Sequence, residues 1–253
     1  MIVAIIQARM SSTRLPGKVL LPLGKGTVLE HTIGQVKKAK SIGRVVVATS
    51  DGADDDAIAA LCEKVGVPVF RGSLKDVLDR YYGAAKKFGA EHIARITSDC
   101  PVIDPSIIDR VAEEYERKNE KGECDYISTG RIISTFPDGM DTEIFSFRVL
   151  ETAWKEAKLP SEREHVTPFI WNHPERFKVI EVKNGRDLSA VRLTLDEPND
   201  YLVLKDVVAN VPELSMENIV SYLKEHPEVT AKNAPIIRDA GYFKSLREDT
   251  ELN

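Results

Sequence analysis

The stretch "RVVVAT", residues 44–49, sets three valines side by side between an arginine and a threonine. A strand with one wet face alternates apolar and polar residues. An unbroken β-branched run is what a strand covered on both faces requires, and such strands belong to parallel sheets flanked by helices. The surrounding chain reads the same way. Residues 2–6, "IVAII", form a second run of strand length. Thr27 followed by Glu30 reads as a capping box opening a helix, with Val28, Leu29, Ile33 and Val36 on one face. Ile58, Leu61, Cys62 and Val65 keep helical spacing up to Gly66, and residues 67–70, "VPVF", form a short strand. Leu78, Tyr81, Ala85 and Phe88 mark a helix over about 75–88, and residues 92–97, "HIARIT", the next strand. Asp104 and Pro105 then cap a helix whose inner face is Ile107, Ile108, Val111 and Tyr115. Four strand–helix units in a row predict an α/β fold, a mostly parallel sheet with helices on both faces.

Beyond about residue 124 the rhythm changes. Residues 141–145 alternate like a strand, and Leu150, Ala153, Trp154 and Ala157 mark a helix. Ser161 to Glu164 reads as a second capping box. Strands are expected at 177–182 and 190–195, the second running into a helix at "LDEPNDYLVLKDVV". The tail from Ser215 reads as helical and peripheral. The expectation is a single domain over 1–253, with an inserted region at about 130–175 and a peripheral helical tail at about 211–253.

Composition is that of a globular protein, 42% hydrophobic and 30% charged. The net charge of −5 argues against general nucleic-acid or membrane-surface binding, so an anionic ligand must be met by a local gathering of cations. Cys62, Cys100 and Cys124 form no CxxC, which speaks against a disulfide framework or a structural zinc. "MIVAII" is too short for a secretory apolar core, and no run reaches the roughly 18 residues of a membrane span. The expected location is the cytoplasm.

Ligands of open parallel sheets sit beyond the carboxyl ends of the strands. Residues 7–18, "QARMSSTRLPGK", follow the first strand and hold Arg9, Arg14 and Lys18 beside Ser11, Ser12, Thr13 and Gly17, without an acid. Such a loop can turn N–H groups toward an anion, with arginine forks and a lysine point charge added, which suits a polyphosphate. The plain alternative is a solvated basic loop pairing with nearby acids. Neither GxxxxGK[ST] nor GxGxxG is present. Asp99 and Asp196 each fall just past a strand end, and together with phosphate oxygens they could hold Mg²⁺; the alternative for each is a helix N-cap. The run Asp54–Asp56 falls at a helix start, where the dipole favours acids. Trp154 and Trp171 read as core or interface aromatics.

"IIQARMSSTRLPGKVL", "VVVATSD", "VFRGSLKDVLDRYY", "RITSDCPVIDP", "FPDGMDTEIF", "REHVTPFI" and "LTLDEPNDY" resemble the cytidylyltransferases that activate acidic sugars. The nearest likeness is the branch of the spore-coat polysaccharide protein SpsF; enzymes making CMP-activated 3-deoxy-manno-octulosonate and CMP-sialic acids are more distant. The resemblance spans about residues 1–205. It implies a nucleotide-diphospho-sugar-transferase-like three-layer sandwich, usually dimeric through the inserted region. It also implies transfer of CMP from CTP to an acidic sugar, with release of pyrophosphate. Arg9 and Lys18 would hold the triphosphate, with Arg14, Ser11 and Ser12 close by, and Asp99 and Asp196 match the family aspartates that bind Mg²⁺. Arg80 falls where the octulosonate branch has an arginine near the cytosine. Thr97 stands where that branch has a base-reading glutamine. The acceptor would meet Asp138, Asp141, Glu143, Arg163 and His165, against the alternatives of a turn at Asp138-Gly139 and a helix start at 161–164. Two other functions fit the same fold: a glycosyltransferase using a nucleotide sugar, or a non-catalytic scaffold in polysaccharide assembly.

Overall fold

The structure, a computed structural model, describes residues 1–130 and 133–251. The chain runs β1 (Ile2–Gln7), a one-turn 3₁₀ helix (Lys18–Leu20), a small hairpin of β2 (Pro22–Leu23) and β3 (Gly26–Thr27), and α1 (Val28–Val36). There follow β4 (Ile42–Ser50), α2 (Asp56–Lys64), β5 (Val69–Gly72), α3 (Val77–Lys87), β6 (His92–Thr97) and α4 (Pro105–Asn119). The inserted region carries β7 (Tyr126–Ser128), β8 (Glu143–Ser146), α5 (Phe147–Glu156), α6 (Pro160–His165) and α7 (Pro168–Trp171). β9 (Val179–Glu181), α8 (Pro198–Asn210), α9 (Met216–Glu225), α10 (Pro227–Thr230) and α11 (Ala240–Glu251) complete it.

The main sheet has the order β5-β4-β1-β6-β8-β7-β9, with β8 antiparallel to both neighbours and every other pairing parallel. Two cores explain the unbroken apolar runs. Ile2, Ala4 and Ile6 of β1 pack with α1, α2, α4, α8 and α9 on one face. Val3 and Ile5 point the other way, into α3, α5 and α7. A central strand wedged between two helical layers has no wet side on which to place a polar residue.

Local signals held where they rest on nearest neighbours. The Thr27–Glu30 capping box forms, Glu30 N–H donating to Thr27 Oγ1 (3.2 Å) and Thr27 N–H to Glu30 Oε2 (2.7 Å). Asp104 caps α4 through the Ser106 N–H (2.8 Å). Three expectations fail for physical reasons. β5 starts two residues late because Pro68, lacking an N–H, gives the ladder only its carbonyl. Residues 190–195 bury Leu193 and Leu195, as the expected strand would, but among the described residues they make a single bridge to Asp138 rather than a strand. Gly139, at φ 101°, lets the backbones approach there, since a Cβ would lie 2.6 Å from the Leu193 carbonyl carbon. The second capping box is misplaced: α6 begins at Pro160, a favoured first position, and Glu162 rather than Glu164 accepts the N–H groups of Lys158 and Leu159. In the tail, α11 packs against α6 while leaving most of its residues exposed.

Candidate active site

Gln7 and Thr97 are register partners at the carboxyl ends of β1 and β6, so the two following loops emerge side by side. The first loop is shaped from beneath by Asp55, which is 1% exposed. Its Oδ1 accepts the Met10 N–H (2.7 Å), and its Oδ2 accepts from Thr49 Oγ1 and the Ser50 N–H (both 2.9 Å). Burial acts to raise this carboxyl, but the hydrogen bonds outweigh it and hold it below the usual carboxylate range. Of the acidic run at a helix start, this member therefore ties the loop to β4 rather than capping α2. Asp55→Ala strands three donors at once. Urea denaturation should show a loss of about 3 kcal/mol, and a loss under about 1 kcal/mol would contradict the role.

The loop then closes on itself. Ser12 and Gly17 N–H groups both donate to the Met10 carbonyl (2.9 Å), Leu15 N–H to Ser12 Oγ, and Lys18 N–H to the Leu15 carbonyl. These amides are already paired, so any anion would be met by the side chains and the remaining N–H groups of the loop. Gly17 adopts φ 70°, a left-handed turn that starts the 3₁₀ helix and aims Lys18 inward.

Lys18 Nζ donates to Asp99 Oδ2 (2.8 Å), Asp196 Oδ1 (2.8 Å) and the Leu195 carbonyl (2.7 Å). The two carboxylates expected to hold Mg²⁺ lie side by side here around the Lys18 ammonium. Burial works to lower the Lys18 ammonium, but both carboxylates outweigh it and raise it above its ordinary range. Asp99 answers in kind: burial would raise it, yet the Lys18 charge holds it down at about 2. Neither aspartate is an N-cap, since those positions belong to Asp104 and Glu197. Arg14 pairs with Asp196 (2.9 Å) and Glu197 (3.6 Å), and Arg9 reaches Glu164 of α6 (3.4 Å). The loop does pair with acids, as the plain alternative holds, but Lys18 and Arg14 take the candidate metal ligands as partners.

These groups line a cavity of about 550 Å³. Ser12, Arg80, Thr97, Asp138, Asp141 and His165 also line it, as the sequence led one to expect. Three expected residues do not. Ser11 lies outside the lining. Glu143 stands opposite Arg95 in the β6–β8 register and pairs with it, while Tyr126 and Thr167 hydroxyls donate to its Oε2 (2.7 and 2.6 Å), so the sheet consumes its carboxylate. Arg163 turns away to Asp76, the cap of α3, with Nε 3.0 Å from both carboxylate oxygens.

Arg192 was not foreseen. Its guanidinium, 6% exposed, donates to Asp138 Oδ2 (2.6 Å), Asp196 Oδ2 (3.2 Å) and Asp200 Oδ1 (2.8 Å), joining the inserted region to the candidate metal ligand. One cation cannot neutralise so many acids. Burial, then the Asp141 charge, push Asp138 up to about 7 against the pull of Arg238 and Arg192. Among the described residues, the buried polar atoms of the lining without a hydrogen-bond partner include Gln7 Oε1 and Arg80 Nε. Cys100 also lines the cavity, but burial and the Asp99 charge push its thiol well above the usual range, which denies it a thiolate's role.

A sequence model of the cytidylyltransferase family matches residues 3–234. The chain is 39% identical over 254 residues to an uncharacterized protein of Methanocaldococcus jannaschii, covering 99% of each. It is 33% identical over 241 residues to the spore coat polysaccharide biosynthesis protein SpsF of Bacillus subtilis, covering 91% of this chain and 97% of that one. The solved structure of a cytidylyltransferase from Leptospira borgpetersenii superposes with a TM-score of 0.85 at 38% identity, over 90% of this chain and 96% of that one. On sequence and structure alike, the chain belongs to the cytidylyltransferase family.

Proposed function

We propose that the protein transfers CMP from CTP to an acidic sugar, a nonulosonic or octulosonic acid, and releases pyrophosphate. One observation carries the reading: Lys18 draws Asp99 and Asp196 together at the carboxyl edge of β1 and β6, with Arg9 and Arg14 on the same loop. Phosphate oxygens can replace carboxylates as partners of Lys18 and Arg14, and that exchange frees Asp99 and Asp196. Both are hard oxygen donors already spaced to share a cation. Among the described residues no group of three or more His, Cys, Asp or Glu gathers as a metal cluster. A two-carboxylate set suits Mg²⁺, which takes few protein ligands and completes its shell with phosphate and water. Asp99 and Asp196 would hold such an ion, which would supply charge neutralisation at the phosphates. The sugar hydroxyl attacks the α-phosphorus in line as the bond to pyrophosphate breaks. Arg9 and Lys18 offset the charge that grows on the leaving oxygens, so positioning and electrostatics account for the rate.

The product serves surface-polysaccharide synthesis in the cytoplasm, where CTP is available. No described helix is long and apolar enough to cross a membrane. The proposed homodimer forms through the inserted region, whose Ile133 and Leu159 are exposed apolar residues. A pyrophosphate-release screen of four nucleoside triphosphates against nonulosonic and octulosonic acids tests the reading. Release is expected with CTP plus one such acid and Mg²⁺. Nucleoside diphosphate release from a nucleotide sugar, without pyrophosphate, would indicate a glycosyltransferase instead. Absence of any nucleotide-binding heat would indicate a scaffold.

A further inference from the structure

The family match ends at residue 234, yet α11 begins at Ala240 and forms one wall of the cavity through Gly241, Tyr242, Lys244, Ser245 and Glu248. This wall is built as firmly as the rest. Ser245 Oγ donates to Glu164 Oε2 (2.9 Å) and lies 3.0 Å from His165 Nε2, while Asp249 accepts the Ser161 N–H (2.9 Å). The Tyr242 ring stands edge-on to His165 (5.2 Å) and to Trp171 (5.5 Å), which fixes its direction. Upstream, Arg238 ties the start of the tail to Asp141 (2.8 Å). The tail therefore bridges two segments of the cavity lining, 138–141 and 161–165, each joined in turn to the loop cluster, Asp138 through Arg192 to Asp196 and Glu164 to Arg9.

None of the side chains assigned to phosphate above lies on α11, which leaves this part of the lining for the second substrate. The charges point the same way. Lys18, Arg14 and Arg192 have carboxylate oxygens within 3.2 Å, whereas the acid beside Lys244 is Glu248, one turn along at 3.9 Å. A loose, exposed pair of that kind holds its cation weakly, so Lys244 can turn to another anion at little cost.

Building on the cytidylyltransferase reading above, we propose that α11 is the acceptor wall of the site, with Lys244 meeting the carboxylate of the sugar acid and Tyr242 packing against its ring. Steady-state kinetics on the full chain test this, using the acid found in the pyrophosphate screen and its carboxamide. Lys244→Ala is expected to raise the KM for the acid about tenfold, with the KM for CTP unchanged. Lys244→Arg should restore most of it. Wild type should disfavour the carboxamide about tenfold and Lys244→Ala should not, because each change removes one partner of the same contact. Exposed Lys244 makes no buried contact, so its loss leaves folding intact. An unchanged KM for the acid, or equal shifts for acid and CTP, overturns the proposal alone. Wild type inactive with CTP and every acid overturns the cytidylyltransferase reading and this proposal with it.

Discussion

Lys18→Ala is expected to lower turnover by about two to three orders of magnitude, the usual loss when one charged or hydrogen-bonding contact to a developing oxyanion is removed. Among the described residues the ammonium is the one cation in direct contact with both Asp99 and Asp196, through short hydrogen bonds. On the function proposed above it serves two partners in turn, the carboxylates before nucleotide arrives and the phosphates afterwards. Its removal therefore has two readouts that move in opposite directions. Turnover falls because the leaving pyrophosphate loses a partner. Mg²⁺ should bind the ligand-free variant more tightly than wild type, since the metal no longer competes with a resident ammonium for the same two oxygens. Thermal denaturation with and without Mg²⁺ measures the second effect, and a larger rise in Tm is expected for Lys18→Ala. A variant with near-normal turnover would remove Lys18 from the chemistry. One with lowered turnover and no gain in Mg²⁺ stabilisation would separate the lysine from the metal site.

The placing of Lys18 and Asp99 was legible because a strand's carboxyl edge can be located from its apolar run, and both lie within a loop's length of β1 and β6. Arg192 and the tail were not, because their contacts cross long distances in the chain. Ser245 meets His165 across 80 residues, and Arg192 meets Asp138 across 54. Periodicity reports only which face of an element is apolar, and α11 carries an exposed Phe243 and Leu246 that mark no clear inner face. Glu143 and Arg163 misled for the same reason. Each is a charged residue in a segment of the right kind, but Glu143 finds Arg95 directly across the sheet and Arg163 finds Asp76 at a distant helix start. Residues 190–195 were expected to form a strand, yet among the described residues the segment makes only the bridge between Asp138 and Arg192. Its polar members, Arg192 and Thr194, face the cavity instead.

Arg192→Met should destabilise the protein by about 3–5 kcal/mol, the cost of leaving buried acids without their cation. Asp200 is 0% exposed and accepts from Arg192 Nε (2.8 Å) and Nη2 (3.0 Å), and Asp138 is nearly as buried. Burial alone would lower the Arg192 pKa; the bonds to Asp200 and the charges of Asp138 and Asp196 outweigh it and keep the group firmly protonated. Methionine keeps much of the volume, so the loss reports charge and hydrogen bonding rather than a cavity. For a chain of this length the fall in Tm should be on the order of 10 °C. Arg192→Lys should recover only part of this, because an ammonium cannot reproduce a fork directed at three separate carboxylates. Asp200→Asn added to Arg192→Met should return some stability, since it removes a charge that would otherwise stay buried and unpaired. Asp200 also accepts the N–H groups of Asp196 and Glu197 (both 2.9 Å), so the damage extends to the candidate metal ligand. At temperatures where Arg192→Met remains folded, its Mg²⁺ requirement for turnover should rise. Full stability in Arg192→Met would mean that Asp138 and Asp200 are held neutral by other means, and the link from the inserted region to Asp196 would then fail.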